Sequence, residues 1–302
     1  LVKNIEEMCW CLEVYSVQKK EKNERLLLAG TQNGIYKVEH NRAVEIVETP
    51  PVLALYMAKN KPVVYIGLKN SLSVMTYSNG NAKYAELLGF EQRVRNIEED
   101  KNGNIWLGSD EGSVVRLKNV DILVNPPTEK FVSISLNRFD TKNGLANDGK
   151  ISVHSFHGEV AFFSGNKMYR FDEKKDTFRI EPALNTYIDA DLKEFFRFVE
   201  DSAGNCWIRA TGKTHDWLEV LLKKEKNSYE RDTFPFKRIP FMSVQTIYPE
   251  KDGVTWIGGS EGLFSYDRNI QRTYQQKYYT VIRKVMLGED SVICYGTNFT
   301  YH

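Results

Sequence analysis

The chain has 302 residues, 41% of them hydrophobic and 27% charged, which is enough for a substantial core and is neither a disordered nor a fibrous composition. Lys and Arg total 41 against 40 for Asp and Glu, so no net field gathers phosphate backbones or anionic lipid, and nucleic acid is not an expected partner. No apolar run approaches the roughly 18 residues that a membrane helix needs, so no span is expected in this segment.

Taken in chain order, one pattern recurs six times. LLLAGTQNGIYKVE sets Leu28 in a slot that Tyr65 fills in VVYIGLKNSLSVM, Trp106 in DKNGNIWLGSDEG, Phe162 in VAFFSGNKMYRFD, Trp207 in EDSAGNCWIRATG and Trp256 in PEKDGVTWIGGSEG. The spacings are 37, 41, 56, 45 and 49 residues, close to the period of a four-stranded propeller blade. The third unit shows the internal grammar. VRNIEED reads as a strand, KNGN as a turn, IWLGSD as a second strand, EG as a turn, SVVRLK as a third strand and FVSISLNRF as a fourth. Helical periodicity is nearly absent. The expected fold is therefore all-β: a β-propeller of four-stranded blades with six repeats visible and seven-bladed closure open.

Within each unit the residue types have physical reasons. An Asp or Asn accepts bonds from the turn backbone, while Gly103, Gly204 or Gly253 takes a positive φ. Gly108 and Gly258, two residues past the slot, allow close backbone approach. A bulky ring at the slot supplies area between neighbouring blades, so Trp106, Trp207 and Trp256 are expected in the core and not as sugar platforms. The turn DKNGN lacks the acidic spacing of an EF-hand, and no metal site is expected.

This combination of Asp, two residues, Gly, one or two residues, Trp, Ile or Leu, and Gly, completed most fully in WIGGSEGLFSYDR, resembles the two-component regulator propeller repeat. FDTKNGLANDGKISVHSF is similar to the same family's connector into an inner strand. KYYTVIRKVMLGEDSVICYGTNF is similar to the passage from a last blade into an immunoglobulin-like domain. The resemblance implies a propeller sensor domain over 1–280, with 281–302 as an exit strand or the start of a following immunoglobulin-like domain. It also implies the periplasmic part of a membrane-anchored Bacteroidetes regulator of transcription, recognising oligosaccharides from glycan breakdown. An adjoining propeller or immunoglobulin-like domain of the same regulator is an expected partner, and a homodimer stays open. Starting at Leu1 without a basic and apolar leader, the chain is expected to be either processed or an excised segment.

Catalysis has little support. No nucleophile elbow, HExxH or phosphate loop occurs, so no enzyme activity and no cofactor are expected. The histidines His40, His154, His157, His215 and His302 are not at ligand spacing and are expected to be exposed or partly satisfied. Cys9, Cys11, Cys206 and Cys294 are expected as buried apolar thiols, with a pairing through Cys206 or Cys294 as the alternative. The fifth unit departs from its siblings: CWIRATGKTHDWLEVLL has Arg209 where Gly30, Gly67, Gly108 and Gly258 set the expectation of Gly, and a longer turn carrying Lys213, His215, Asp216 and Trp217. Places where a local rule fails are often functional. As a ligand loop, Trp217 would stack on a sugar ring while the polar groups bond its hydroxyls or acidic groups. As a plain insertion, Trp217 would simply begin the third strand. A sensor of oligosaccharides is thus the leading function, with a protein-interaction or assembly platform as the alternative.

Overall fold

A computed structural model describes residues 3–18, 23–118, 131–133, 136–146, 149–188, 192–212, 217–237, 239–240, 242–270, 284–288 and 291–295. The chain divides into two compact units, Leu1–Tyr266 and Asp267–His302. The first is a propeller of six antiparallel sheets in chain order. Blade 1 holds β1 (Cys9–Gln18), β2 (Asn23–Thr31), β3 (Gly34–Glu39) and β4 (Arg42–Glu48). Blade 2 holds β5 (Val52–Met57), β6 (Val64–Leu68), β7 (Leu72–Ser78) and β8 (Asn81–Leu88). Blade 3 holds β9 (Asn96–Glu99), β10 (Ile105–Gly108) and β11 (Val114–Leu117), completed by β13 (Leu136–Phe139). Blade 4 holds β14 (Ile151–Phe156), β15 (Glu159–Ser164), β16 (Lys167–Asp172) and β17 (Thr177–Ile180). Blade 5 holds β18 (Leu192–Glu200), β19 (Cys206–Gly212), β20 (Trp217–Lys224) and β21 (Tyr229–Asp232). Blade 6 shows β22 (Val244–Pro249), β23 (Val254–Gly259) and β24 (Gly262–Asp267). The second unit shows a hairpin of β25 (Lys284–Leu287) and β26 (Ser291–Tyr295). The rest of the expected exit segment lies outside the described residues.

The expected fourth strand FVSISLNRF is not one strand. Its first part, β12 (Phe131–Ser133), pairs in parallel with β8 as a fifth strand of blade 2, and only Leu136–Phe139 joins blade 3. Two sheet edges compete for one apolar stretch, and periodicity cannot say which edge wins.

The turns explain why the Trp units are so regular. Asp100 Oδ1 accepts from the amides of Asn102 and Asn104, both at 2.9 Å, and Oδ2 accepts from the indole Nε1 of Trp106 at 2.9 Å. One carboxylate thus closes the hairpin turn and satisfies the only polar atom of a buried ring. Asp201 repeats the arrangement for Trp207, and Glu250 takes the indole of Trp256 at 2.7 Å.

Trp106 and Trp207 are 1% and 2% exposed, and each packs against the next blade: Trp106 lies 4.9 Å from Phe162 and Trp207 5.8 Å from Tyr266, ring centre to ring centre. Leu28 and Tyr65 also face the following blade. Two expectations fail here. Phe162 points back to Trp106, and Phe163, opposite Ser152, faces blade 5 instead, because a one-residue shift in a strand reverses the face. Trp256 is only half-buried, not core. It sits opposite Tyr248, which is 65% exposed, on the side of blade 6 that also carries the exposed Leu263. Blade 1 has a matching bare side, where Leu12, Val14 and Leu27 are exposed while Tyr15 and Leu28 pack on blade 2.

The glycine two residues past the slot works as expected where a next blade abuts. A Cβ on Gly108 would lie 2.7 Å from the Ile151 carbonyl, and one on Gly67 2.7 Å from that of Val94. Among the described residues Gly258 meets no neighbouring blade; its nearest atom is Thr246 Cγ2 of its own sheet. Cys9 is exposed and Cys11 half-buried, against the expectation of buried thiols, because a bulge between them breaks the alternation of β1. Cys206 is buried as expected. The Cys294 side chain lies outside the described residues. His154 is buried, another departure, because β14 turns it into the interior.

Candidate functional site

Inner strands β1, β5, β9, β14, β18 and β22 surround a channel of about 410 Å³. Continuous with it, at the ends where these strands begin, is a cavity of about 250 Å³. Trp10, Leu53, Arg95 and Asn96 border both spaces, as does Arg197. Blade 5 contributes the largest share of the mouth: Phe195 to Arg197 from its first strand, Arg209 from its second and Trp217 from its third.

The register of blade 5 builds this wall. Arg197 is the cross-strand partner of Arg209, and Arg209 is the partner of Glu219, so the three side chains stand in one row across β18, β19 and β20. Arg209 is 2% exposed. Its guanidinium lies 3.9 Å from the Trp217 ring centre, its Nε is 3.8 Å from Glu219 Oε1, and Nη2 donates to Ser243 Oγ at 3.4 Å. Where blades 1 to 3 have a glycine that lets the next blade abut, this one has a long side chain reaching blade 6. Trp217, 38% exposed, meets Phe196 edge-on at 4.6 Å, and the Lys150 ammonium lies 3.6 Å from the Phe196 ring centre.

The mouth is cationic despite the balanced whole. Arg93 and Arg95 share Asp110, Lys150 reaches Glu194 at 4.0 Å, and Arg209 has Glu219. Arg197 has no carboxylate partner among the described residues; its Nε donates to the Gln245 carbonyl at 3.0 Å. Loss of hydration lowers the pKa of Lys150, Arg197 and Arg209, and neighbouring cations lower each further. Deeper in the channel, burial pushes the Glu98 carboxyl up to about 7 and raises that of Glu13. The His154 imidazole is lowered to about 3, by burial first and then by Arg197, so it is neutral at physiological pH. Its buried Nε2 has no hydrogen-bond partner.

Of the expected site residues, the structure brings Arg209 and Trp217 together at this mouth. Trp217 is also the first residue of β20, so strand start and exposed ring are the same fact. Lys213, His215 and Asp216 lie outside the described residues. Lys150, Arg197, Arg95 and Trp10 were not singled out by the repeat, since each sits in or beside an inner strand without breaking the pattern. Among the described residues, no group of three or more His, Cys, Asp or Glu side chains could hold a metal, and no helix is long and apolar enough to cross a membrane.

Comparison with known proteins bears on the fold. The extracellular domain of a putative one component system from B. thetaiotaomicron superimposes with a TM-score of 0.55 at 14% identity, over 87% of this chain and 39% of that one. The chain thus spans about two fifths of that structure's length. A structure described as YCF48 bound to D1 peptide superimposes with a TM-score of 0.52 at 10% identity, over 87% of this chain and 80% of the other. No curated protein matches the sequence. Residues 89–111, which run through β9 and β10 with the Asp100 turn, match the family described as two component regulator propeller. The chain is a β-propeller, and in its third blade one stretch matches the two component regulator propeller repeat.

Proposed function

We propose that this propeller is the extracytoplasmic, ligand-sensing domain of a signalling regulator, and that it binds a glycan-derived oligosaccharide at the channel mouth without chemical turnover. The observation that carries this reading is the half-exposed Trp217 ring, held by Arg209 beside a cavity rimmed with Asn96, Ser243 and Gln245. An aromatic face next to fixed polar groups is what a sugar ring needs, because its C–H face stacks while its hydroxyls bond. The family match and the likeness to an extracellular domain support a sensor in the periplasm, coupled to transcription through other parts of a longer protein. Calorimetric titration of wild type and Trp217→Ala with a panel of neutral and acidic oligosaccharides tests the reading. Binding that weakens at least tenfold in the variant is expected; no binding by any member of the panel, or equal binding by both proteins, overturns it.

A second reading has its own observation. The bare apolar sides of blades 1 and 6, with Leu12, Val14, Tyr248 and Leu263 exposed, suit a protein-interaction or assembly platform. Self-association or capture of a further domain, abolished by Tyr248→Ser with Leu263→Ser and unaffected by Trp217→Ala, would favour it.

A further inference from the structure

Resting on the sugar-sensing reading, we infer that the ligand is acidic: a sugar bearing an oxyanion, carboxylate or sulfate, that is received by the Arg197 guanidinium. Two arginines placed directly opposite each other in an antiparallel pair repel, and such pairs are disfavoured where nothing compensates them. Arg197 and Arg209 are such a pair. The row continues to Glu219, which answers Arg209 only. Among the described residues, five cations, Arg93, Arg95, Lys150, Arg197 and Arg209, meet three carboxylates around this mouth, and Arg197 is the one without an acid.

The geometry also fixes how Arg197 would act. Its Nε is held by the Gln245 carbonyl of blade 6, which orients the planar fork. The two Nη groups have no protein acceptor among the described residues, and the side chain borders both the mouth and the channel. A pre-oriented fork with both terminal nitrogens unused matches the two oxygens of a carboxylate or sulfate. Lys150, itself partly dehydrated and beside the Phe196 ring, adds a second positive group to the lining of the same cavity. Trp217 then stacks on the sugar whose anion these groups hold. A purely structural Arg197, serving only to tie blade 5 to blade 6, would use Nε alone and gain nothing from like charges gathered around it.

The test uses the full chain with probes that differ only in charge: uronic acid trisaccharides of galacturonate, glucuronate and mannuronate backbones, each beside its methyl ester, with sulfated neutral trisaccharides and inorganic sulfate as further arms. Binding of an acidic trisaccharide at least tenfold tighter than its uncharged counterpart, weakening as salt rises, is the expected result. Arg197→Gln should abolish that preference, weakening the acid at least tenfold more than its ester; Arg197→Lys should restore the preference in part. The uronate and sulfate arms identify which oxyanion is read. Equal affinity for charged and uncharged forms, or an acidic preference that survives Arg197→Gln, overturns the inference while leaving the sugar sensor standing. Binding of inorganic sulfate alone, with no saccharide bound, overturns both, as does binding of nothing. Circular dichroism of Arg197→Gln matching wild type shows that the loss is not unfolding.

Discussion

Arg197 and Arg209 face each other across the β18–β19 pair, and Glu219 stands next in the same row. The arrangement makes the fifth blade unlike the other five. Arg209 occupies the position at which Gly30, Gly67 and Gly108 let their neighbours approach, and it spans to Ser243 instead. The cavity at the channel mouth is bordered by this side chain.

The row has an energetic consequence that can be measured. Removing Arg209 takes away the positive charge 3.8 Å from Glu219 Oε1, a buried oxygen that accepts no hydrogen bond, in a site whose dehydration already raises its pKa. Arg209→Met is therefore expected to cost on the order of 1–3 kcal/mol in urea unfolding. Adding Glu219→Gln should return part of that loss, since the variant then buries no unpaired charge. A double-mutant cycle measures the coupling. A cycle with no coupling would show that Arg209 serves through Trp217 and Ser243 and not through Glu219.

The fold was legible in the sequence because its unit repeats: each slot residue lies on the second strand of its own blade, from Leu28 on β2 to Trp256 on β23. The errors have local causes. In blade 4 the weak repeat VAFF offers two adjacent phenylalanines, and only pairing reveals that Phe163, opposite Ser152, faces onward. β12 went to blade 2 because an edge strand recruits a partner by backbone groups, which carry no side-chain signature. Half of the candidate site was legible. Arg209 broke a rule and so stood out, and Trp217 stood near it. Arg197 and Lys150 broke none; they meet only because inner strands far apart in sequence converge on one channel.

The glycine rule yields a comparison between blades. Gly108→Ala would set a Cβ 2.7 Å from the backbone carbonyl of Ile151, which cannot move without shifting blade 4. Gly258→Ala meets the Thr246 methyl at 2.9 Å and Leu263 Cδ1 at 3.7 Å, both side-chain ends on a bare face. Overpacking a constrained site typically costs about 1–3 kcal/mol. Gly108→Ala is expected in that range, with Gly258→Ala costing well under half as much in parallel urea titrations. Equal losses would mean that the outer side of blade 6 is as closely covered as the seam between blades 3 and 4.

The channel carboxyl Glu98 makes stability depend on pH in a direction that can be worked out. Its pKa is raised from an ordinary 4.5 to about 7, mainly by burial, against the opposing pull of Lys59 and with Glu13 adding to the rise; the Tyr56 hydroxyl also faces it. Below pH 4.5 the group is protonated in both the folded and unfolded chain and favours neither. Between 4.5 and 7 the unfolded chain ionises it and the folded one does not, so its contribution to stability is lost as pH rises through that window and stays lost above it. His154 acts oppositely: lowered from 6.5 to about 3, it remains neutral in the fold while the unfolded chain takes up a proton, so stability falls as pH drops below 6.5. The two slopes oppose each other between pH 4.5 and 6.5 and mask one another in the wild type. Glu98→Gln keeps the shape and removes one of them. The unfolding free energy of the variant, from urea titrations, should match that of wild type near pH 4 and exceed it near pH 8, by about 3 kcal/mol that develops between pH 4.5 and 7. A difference that is constant across this range would show that Glu98 titrates in the fold as it does in the unfolded chain.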